Sequence, residues 1–345
     1  MTERTFWNIL FSIEDTGTQI IMIPNTACVN QTGISEFIIL GFGTLKDLHL
    51  LFFLFFLVIY MTTMVGNLTI ILLVVSSQHL HTPMYFFLGN LSCMETFYSS
   101  TILPRMLVSL LTGDRTISVT GCVVQLYFFG FLVCTECYLL AVMSYDRYLA
   151  ICQPLHYGTL MNDKFSIQLA AGSWISAFLP ISIIIILMSS LLYCGSNEID
   201  HFFCDFPSVI KLAHSDTQLI RVLAVILSSF DIFPPFILTL TSYFYIIATI
   251  LRIPSTTGKK KAFSTCSSHL MVVTIFYGTL IVVYVLPKGD AHGDLHKIFS
   301  LFYTVLTPMV NPLIYSLRNQ EVKETLKRGI NKWAILKRER MGSKK

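Results

Sequence analysis

Long apolar runs separated by short polar connections dominate the chain from about residue 50 onward. Seven are long enough to cross a bilayer, which takes roughly 20 helical residues. They lie at Leu50–Val75, Met84–Met106, Gly121–Tyr148, Phe165–Leu191, Gln218–Leu251, Ala262–Leu286 and Lys297–Leu317. The second is the most polar, carrying Glu95 and Pro104. Both are tolerable if that helix faces other helices rather than lipid. The pattern predicts an all-α membrane protein. Residues 1–48 form an N-terminal segment, 49–317 a seven-transmembrane bundle, and 318–345 a basic tail.

Composition agrees. Of 345 residues, 54% are hydrophobic and only 13% charged, with a mean hydropathy of +0.66. Soluble domains carry about 25% charged residues. Basic residues orient the bundle. Arg147, Lys164, Arg252, the Lys259–Lys261 run and the tail share one side, which is therefore cytoplasmic. Glu36, Asp47, Asp114, Glu198, Asp200, Asp205, Asp216, Asp290 and Asp294 make the other side acidic and place the N-terminus outside. The net charge of +4 reflects this asymmetry and points to no nucleic acid. No convincing signal peptide precedes the first run, and Met22 offers an alternative start. The Asn30-Gln31-Thr32 sequon lies on the predicted outer side and is expected to be glycosylated. In the tail, Ile330, Trp333, Ile335 and Leu336 alternate with basic residues, as in a helix lying on the membrane surface.

The stretch Met143-Ser-Tyr-Asp-Arg-Tyr-Leu-Ala-Ile-Cys152 sets an Asp146-Arg147 pair at the end of the third run. Charges at a membrane edge are costly and usually functional. A carboxylate can hold a neighbouring guanidinium in a charge-assisted bond, and releasing it changes the surface offered to a partner. That is switch chemistry and needs no turnover.

With this stretch go Gly66-Asn67, Leu80-His-Thr-Pro-Met-Tyr-Phe-Phe-Leu88, His201-Phe-Phe-Cys-Asp205, Ser242-Tyr243, Lys261-Ala-Phe-Ser-Thr-Cys-Ser-Ser-His269 and Pro308-Met-Val-Asn-Pro-Leu-Ile-Tyr-Ser-Leu-Arg-Asn319. In this order the chain resembles the odorant receptors, rhodopsin-like G-protein-coupled receptors, over about residues 36 to 328. The resemblance implies seven helices and a short amphipathic helix near Asn319–Ile330. It implies a switch in which Asp146 cages Arg147, and a coupling surface that includes Tyr148, Tyr243, Asn311, Pro312 and Tyr315. Pro312 loosens the seventh helix, so that Tyr315 can swing toward Tyr243 and Arg147. Partners implied are a small volatile odorant, a heterotrimeric G protein of the stimulatory olfactory type that raises cyclic AMP, and membrane lipid. The resemblance pairs Cys122 with Cys204. Three departures stand out: a long N-terminal segment, Glu95 where the family usually has Asp, and a missing third loop cysteine, with His214 near its place. Cys194 then either stays free or finds Cys28.

Other side chains invite chemistry. Glu136 lies eleven residues before Arg147, about three helical turns, and so shares its face. With Glu95 at similar depth, two buried carboxylates need a proton or a cation. A sodium ion is one reading; a proton shared between the two is the other. Asp231 precedes Pro234-Pro235 in the fifth run. A mid-membrane Asp without a local partner is a functional candidate, and a protonated Asp bonded to a neighbouring helix is the alternative. Val133 and Phe129, with Gly130 and Cys134 alongside, continue the Arg147 face outward, and Tyr277 and Tyr284 lie seven apart. A cavity so lined would suit a small apolar ligand; helix packing would use the same residues.

Cys134-Thr-Glu-Cys137 sits inside a helix and is read as core, and His201-Phe-Phe-Cys204-Asp205 is not read as a metal site. No H-E-x-x-H, G-x-S-x-G or P-loop occurs, so no enzyme is indicated and no cofactor beyond the sodium reading. A transporter would show paired repeats and broken helices, and none is found. An amine-type hormone receptor would carry an acid near Phe129.

Overall fold

The computed structural model describes residues 34–41, 48–285, 293–318 and 321–328, without the side chains of 261, 265, 282–285, 293–296, 317 and 318. Asn30, Cys28, the Asp47 and Asp290 loops and the tail beyond 328 lie outside the described residues, as does the side chain of Tyr284.

Each predicted run is a helix. A short strand β1 (Glu36–Ile39) precedes α1 (His49–Ser76) and α2 (Pro83–Thr112). Strand β2 (Thr116–Ser118) leads into α3 (Val119–Cys152), followed by the short α4 (Pro154–Leu160) and then α5 (Asp163–Ser189). Strand β3 (Glu198–Ile199) and the short α6 (Phe206–Lys211) occupy the next loop, before α7 (Gln218–Arg252) and α8 (Thr256–Val285). The seventh span is α9 (Gly293–Leu301), a π turn (Phe302–Leu306) and α10 (Thr307–Arg318). Residues 321–328 form a final helix, α11; the remaining ends of the expected 319–330 helix lie outside the described residues.

Local chemistry sets several boundaries. Ser118 caps α3 by accepting the Gly121 N–H at 3.0 Å, and Asn162 caps α5 by accepting that of Phe165 at 2.9 Å. Helix α2 runs on past Pro104 and stops at Gly113, whose φ of 75° is left-handed and suits glycine. Helix α8 bends by 48° between Thr256–Ser264 and Cys266–Ile281. In the seventh span the Thr307 hydroxyl donates to the Phe302 carbonyl five residues back, at 3.1 Å, across the π turn.

Among the described residues five helices are apolar and long enough to cross a membrane, and the bent α8 makes a sixth. Helix α2 is less apolar but long, and its buried side carries Glu95, Ser92 and Ser99. Large apolar side chains face outward along α1, α5 and α7: Val75 is 73% exposed, Ile186 67% and Phe244 69%. Such a surface belongs in lipid, not water, and the chain is a multi-pass membrane protein.

Two cores result. One fills the bundle. The other lies at one end, around Phe37, Ile39, Cys122, Tyr193, Ile199 and Cys204. Above it β1 is the central strand of a three-stranded sheet in the order β2-β1-β3. It pairs antiparallel with β2 (Phe37↔Ile117) and parallel with β3 (Ile38↔Glu198). Nothing in the hydrophobic pattern predicted this sheet.

Candidate receptor site

At the end opposite the sheet, Asp146 is fully buried and engages both carboxylate oxygens. Arg147 donates from Nη2 to Oδ2 at 2.6 Å and from Nε at 3.0 Å, while the Tyr157 hydroxyl of α4 donates to Oδ1 at 2.7 Å. Burial, with the Asp146 charge beside it, pushes the Tyr157 phenol well above its ordinary pKa, so it stays a donor. The guanidinium is thus held sideways against its own helix. Tyr148 accepts from Gln153 at 3.2 Å and stacks on Tyr145. Tyr243 is buried and shares a 2.6 Å hydrogen bond with His269 Nδ1, while the buried Tyr315 hydroxyl has no partner. Tyr243 and Tyr315 are therefore separate here, with room for new bonds in a rearranged bundle. Tyr85 of α2 donates to Glu321 at 2.6 Å, and Val322 is buried, so α11 is docked on the bundle.

Half-way along, Glu95 and Glu136 are both buried. The Asn311 amide donates to Glu95, and the Asn67 amide donates to the Pro308 carbonyl at 3.2 Å. Three oxygens here accept no hydrogen bond: Asn67 Oδ1, Glu136 Oε1 and Asn311 Oδ1. Hard oxygens in this number suit a small cation. Among the described residues no three His, Cys, Asp or Glu side chains gather, so a cation here would use both carboxylates and the amides. Gly66 packs on Pro312, where a Cβ would come within 3.1 Å of the ring, so α1 seats the seventh span at its proline.

Toward the sheet, rings replace charges. Phe129 lies 5.7 Å from Tyr98, 4.8 Å from Phe203 and 6.1 Å from Tyr303. A disulfide joins Cys122 of α3 to Cys204, next to Phe203 in the long loop. Gln125 anchors the same loop, accepting from the Cys204 N–H at 3.0 Å and donating to the Thr101 carbonyl. Lys297 reaches Asp200 at 2.5 Å and ties the seventh span to that loop. Deeper, Tyr277 stacks near Phe236 at 4.8 Å. Tyr138 donates to Asp231 Oδ1 at 3.1 Å.

A family model described as olfactory receptor matches residues 56–332. The human olfactory receptor 11A1 is 48% identical over 299 residues, covering 87% of this chain and 94% of its own. The human olfactory receptor 10A7 is 47% identical over 311 residues, covering 90% and 98%. The chain belongs to the olfactory receptor family. Squid rhodopsin shares the fold, with a TM-score of 0.66 at 17% identity, covering 85% of this chain and 87% of its own. This olfactory receptor family member is a receptor, not an enzyme, on a seven-helix rhodopsin-like bundle.

The expected residues divide between the regions. Asp146, Arg147 and Tyr148 cluster at one end and Glu95, Glu136 and Asn311 at mid-depth. Phe129 lies toward the sheet among Tyr98, Phe203 and Tyr303, Val133 and Cys134 follow it along α3, and Asp231 and Tyr277 lie near the depth of Glu136, against Tyr138 and Phe236. Gly130 packs against α5: a Cβ there would meet Ile181 at 3.2 Å. Cys194 is disulfide-bonded, which removes the free-thiol alternative; its partner lies outside the described residues. His214 contributes backbone, donating its N–H to Leu192 O at 3.0 Å. Four residues escaped the expected set: Tyr157, Tyr138, His269 and Asn67. Tyr157 lies eleven positions after Asp146, across a Pro154 break, and no fixed spacing announces it. His269 closes the Lys261–His269 motif and was readable as a buried imidazole needing a partner.

Proposed function

We propose that the chain is an odorant receptor that takes a small volatile into the sheet-side half of its bundle and activates a stimulatory olfactory-type G protein, raising cyclic AMP. The observation that carries the reading is the Arg147 guanidinium, held by Asp146 and backed by Tyr157 at the bundle mouth. A ligand that favours an opened bundle would break this hold and free Arg147, Tyr148 and the Tyr243–Tyr315 region for the G protein. The Lys259–Lys261 run and the basic tail belong to that face, with lipid beneath the tail. The protein sits in the plasma membrane with residues 1–48 and the sheet outside, Asn30 glycosylated, 49–317 spanning and 318–345 inside. Phe129, Val133, Cys134, Asp231, Tyr277 and Tyr284 line the ligand chamber. Sodium held by Glu95 and Glu136, with Asn67 and Asn311, would stabilise the resting arrangement.

The test is Arg147→Ala in cells supplied with that G protein, challenged with an odorant panel. Surface level should persist while odorant-driven cyclic AMP falls to baseline. An undiminished response would overturn the switch. Replacing sodium with a bulky cation should raise basal signal in the wild type. An uptake assay on the same cells separates receptor from transporter.

A further inference from the structure

Asp231 is 1% exposed and lies between α7 and α3. Its Oδ1 accepts from Tyr138 at 3.1 Å, and the Cys134 thiol lies against the carboxyl. By distance and angle its Oδ2 accepts no hydrogen bond. Ion pairs among the described residues join Arg105 to Asp114, Arg147 to Asp146, Lys297 to Asp200 and Arg328 to Glu324. Asp231 has no such cation. Its own backbone carbonyl lacks the usual helical donor as well, because Pro235 four residues on has no N–H. One carboxylate oxygen of this buried residue therefore has no donor by distance and angle, and its backbone carbonyl lacks the usual helical one. Such a group is costly unless something supplies one.

We infer that Asp231 is the polar anchor of the ligand chamber and selects small odorants that carry an N–H or O–H donor, primary amines and alcohols, over acceptor-only and hydrocarbon odorants of equal size. The inference rests on the reading of the sheet-side half as that chamber. A donor from the ligand reaches Oδ2, and the apolar body lies toward Val133, Phe129 and the rings beyond. An ammonium adds charge to the bond and should bind more tightly than the matching alcohol.

The experiment uses full-length receptor and four eight-carbon probes: octylamine, octanol, 2-octanone and octane. Cyclic AMP is read against surface receptor, and thermal stabilisation of purified receptor is read alongside. Wild type should rank octylamine, octanol, 2-octanone, octane. Asp231→Asn should raise the EC50 for the two donors by roughly ten- to a hundred-fold and leave 2-octanone unchanged. Tyr138→Phe keeps the carboxylate and should keep the donor preference, which covers the case in which Asp231→Asn fails to reach the surface. Cyclic AMP responses led by 2-octanone or octane, or an order unchanged by Asp231→Asn, overturn the anchor while leaving the receptor reading standing. Stabilisation by the donors without any cyclic AMP supports the anchor and counts against the coupling. Neither response to either donor overturns the anchor.

Discussion

The two ends of the bundle handle polarity in opposite ways. At the Arg147 end, the buried charge is closed by near neighbours: Asp146 bonds the next residue and a tyrosine eleven positions on. Around Phe129 the packing is aromatic, Gln125 and Lys297 tie down the loop above it, and deeper in the bundle Asp231 Oδ2 and Tyr277 Oη make no hydrogen bond. A closed network holds one arrangement until something competes for it. An open acceptor waits for a ligand. In the proposed function, the contrast would separate a part that stores a state from a part that senses a compound.

The sheet-side half depends on covalent closure where the other end depends on charge, and this gives the largest expected effect. Cys122→Ser should remove about 2–5 kcal/mol of stability and abolish surface expression. Flow cytometry of an N-terminally tagged receptor measures it. Normal surface level would mean that the loop is held by Gln125 and Lys297 instead. Next, Tyr157→Phe deletes one donor to a buried carboxylate, a change of roughly 1.5–3 kcal/mol for a charged acceptor. Basal cyclic AMP should rise several-fold at unchanged surface level. An unaltered baseline would show that Arg147 alone closes the network. The smallest effect concerns Asp114, at the exposed end of α2. The Thr116 N–H and hydroxyl, and then Arg105, hold its carboxyl below the ordinary range. A lowered folded pKa contributes above the unfolded value, about 3.9, and the contribution is lost as pH falls through the folded value. Asp114→Asn should therefore lower the melting temperature slightly at pH 7 and not at all in strong acid. A deficit that grew on acidification would refute the assignment.

The same contrast explains what could be read from the chain. The helices were legible because length and hydropathy are local, and Asp146-Arg147 because its members are adjacent. Pro104 is tolerable inside the second span, as expected, and α2 does run through it, ending six residues beyond the expected Met106 at Thr112. The sheet was illegible because its strands are two to four residues long and exist through pairing between remote loops. The neighbour of Gly130, Ile181 on α5, was not readable either, because the direction of α5 is not written in spacing. Asp231 was visible as an anomaly. Its partner Tyr138, on another helix 93 positions away, was not.

The central position of β1 sets an order on biogenesis. Its antiparallel neighbour comes first, with Glu36 opposite Ser118, but Glu36 also accepts from Asn197, 161 positions later. At about 5–20 residues per second of synthesis, the strand waits roughly 8 to 32 seconds for its second edge. Through that interval Phe37, fully buried in the finished receptor, has no core to enter. A strand made early is thus among the last to be finished, and completion of the cap is a late checkpoint on the whole chain.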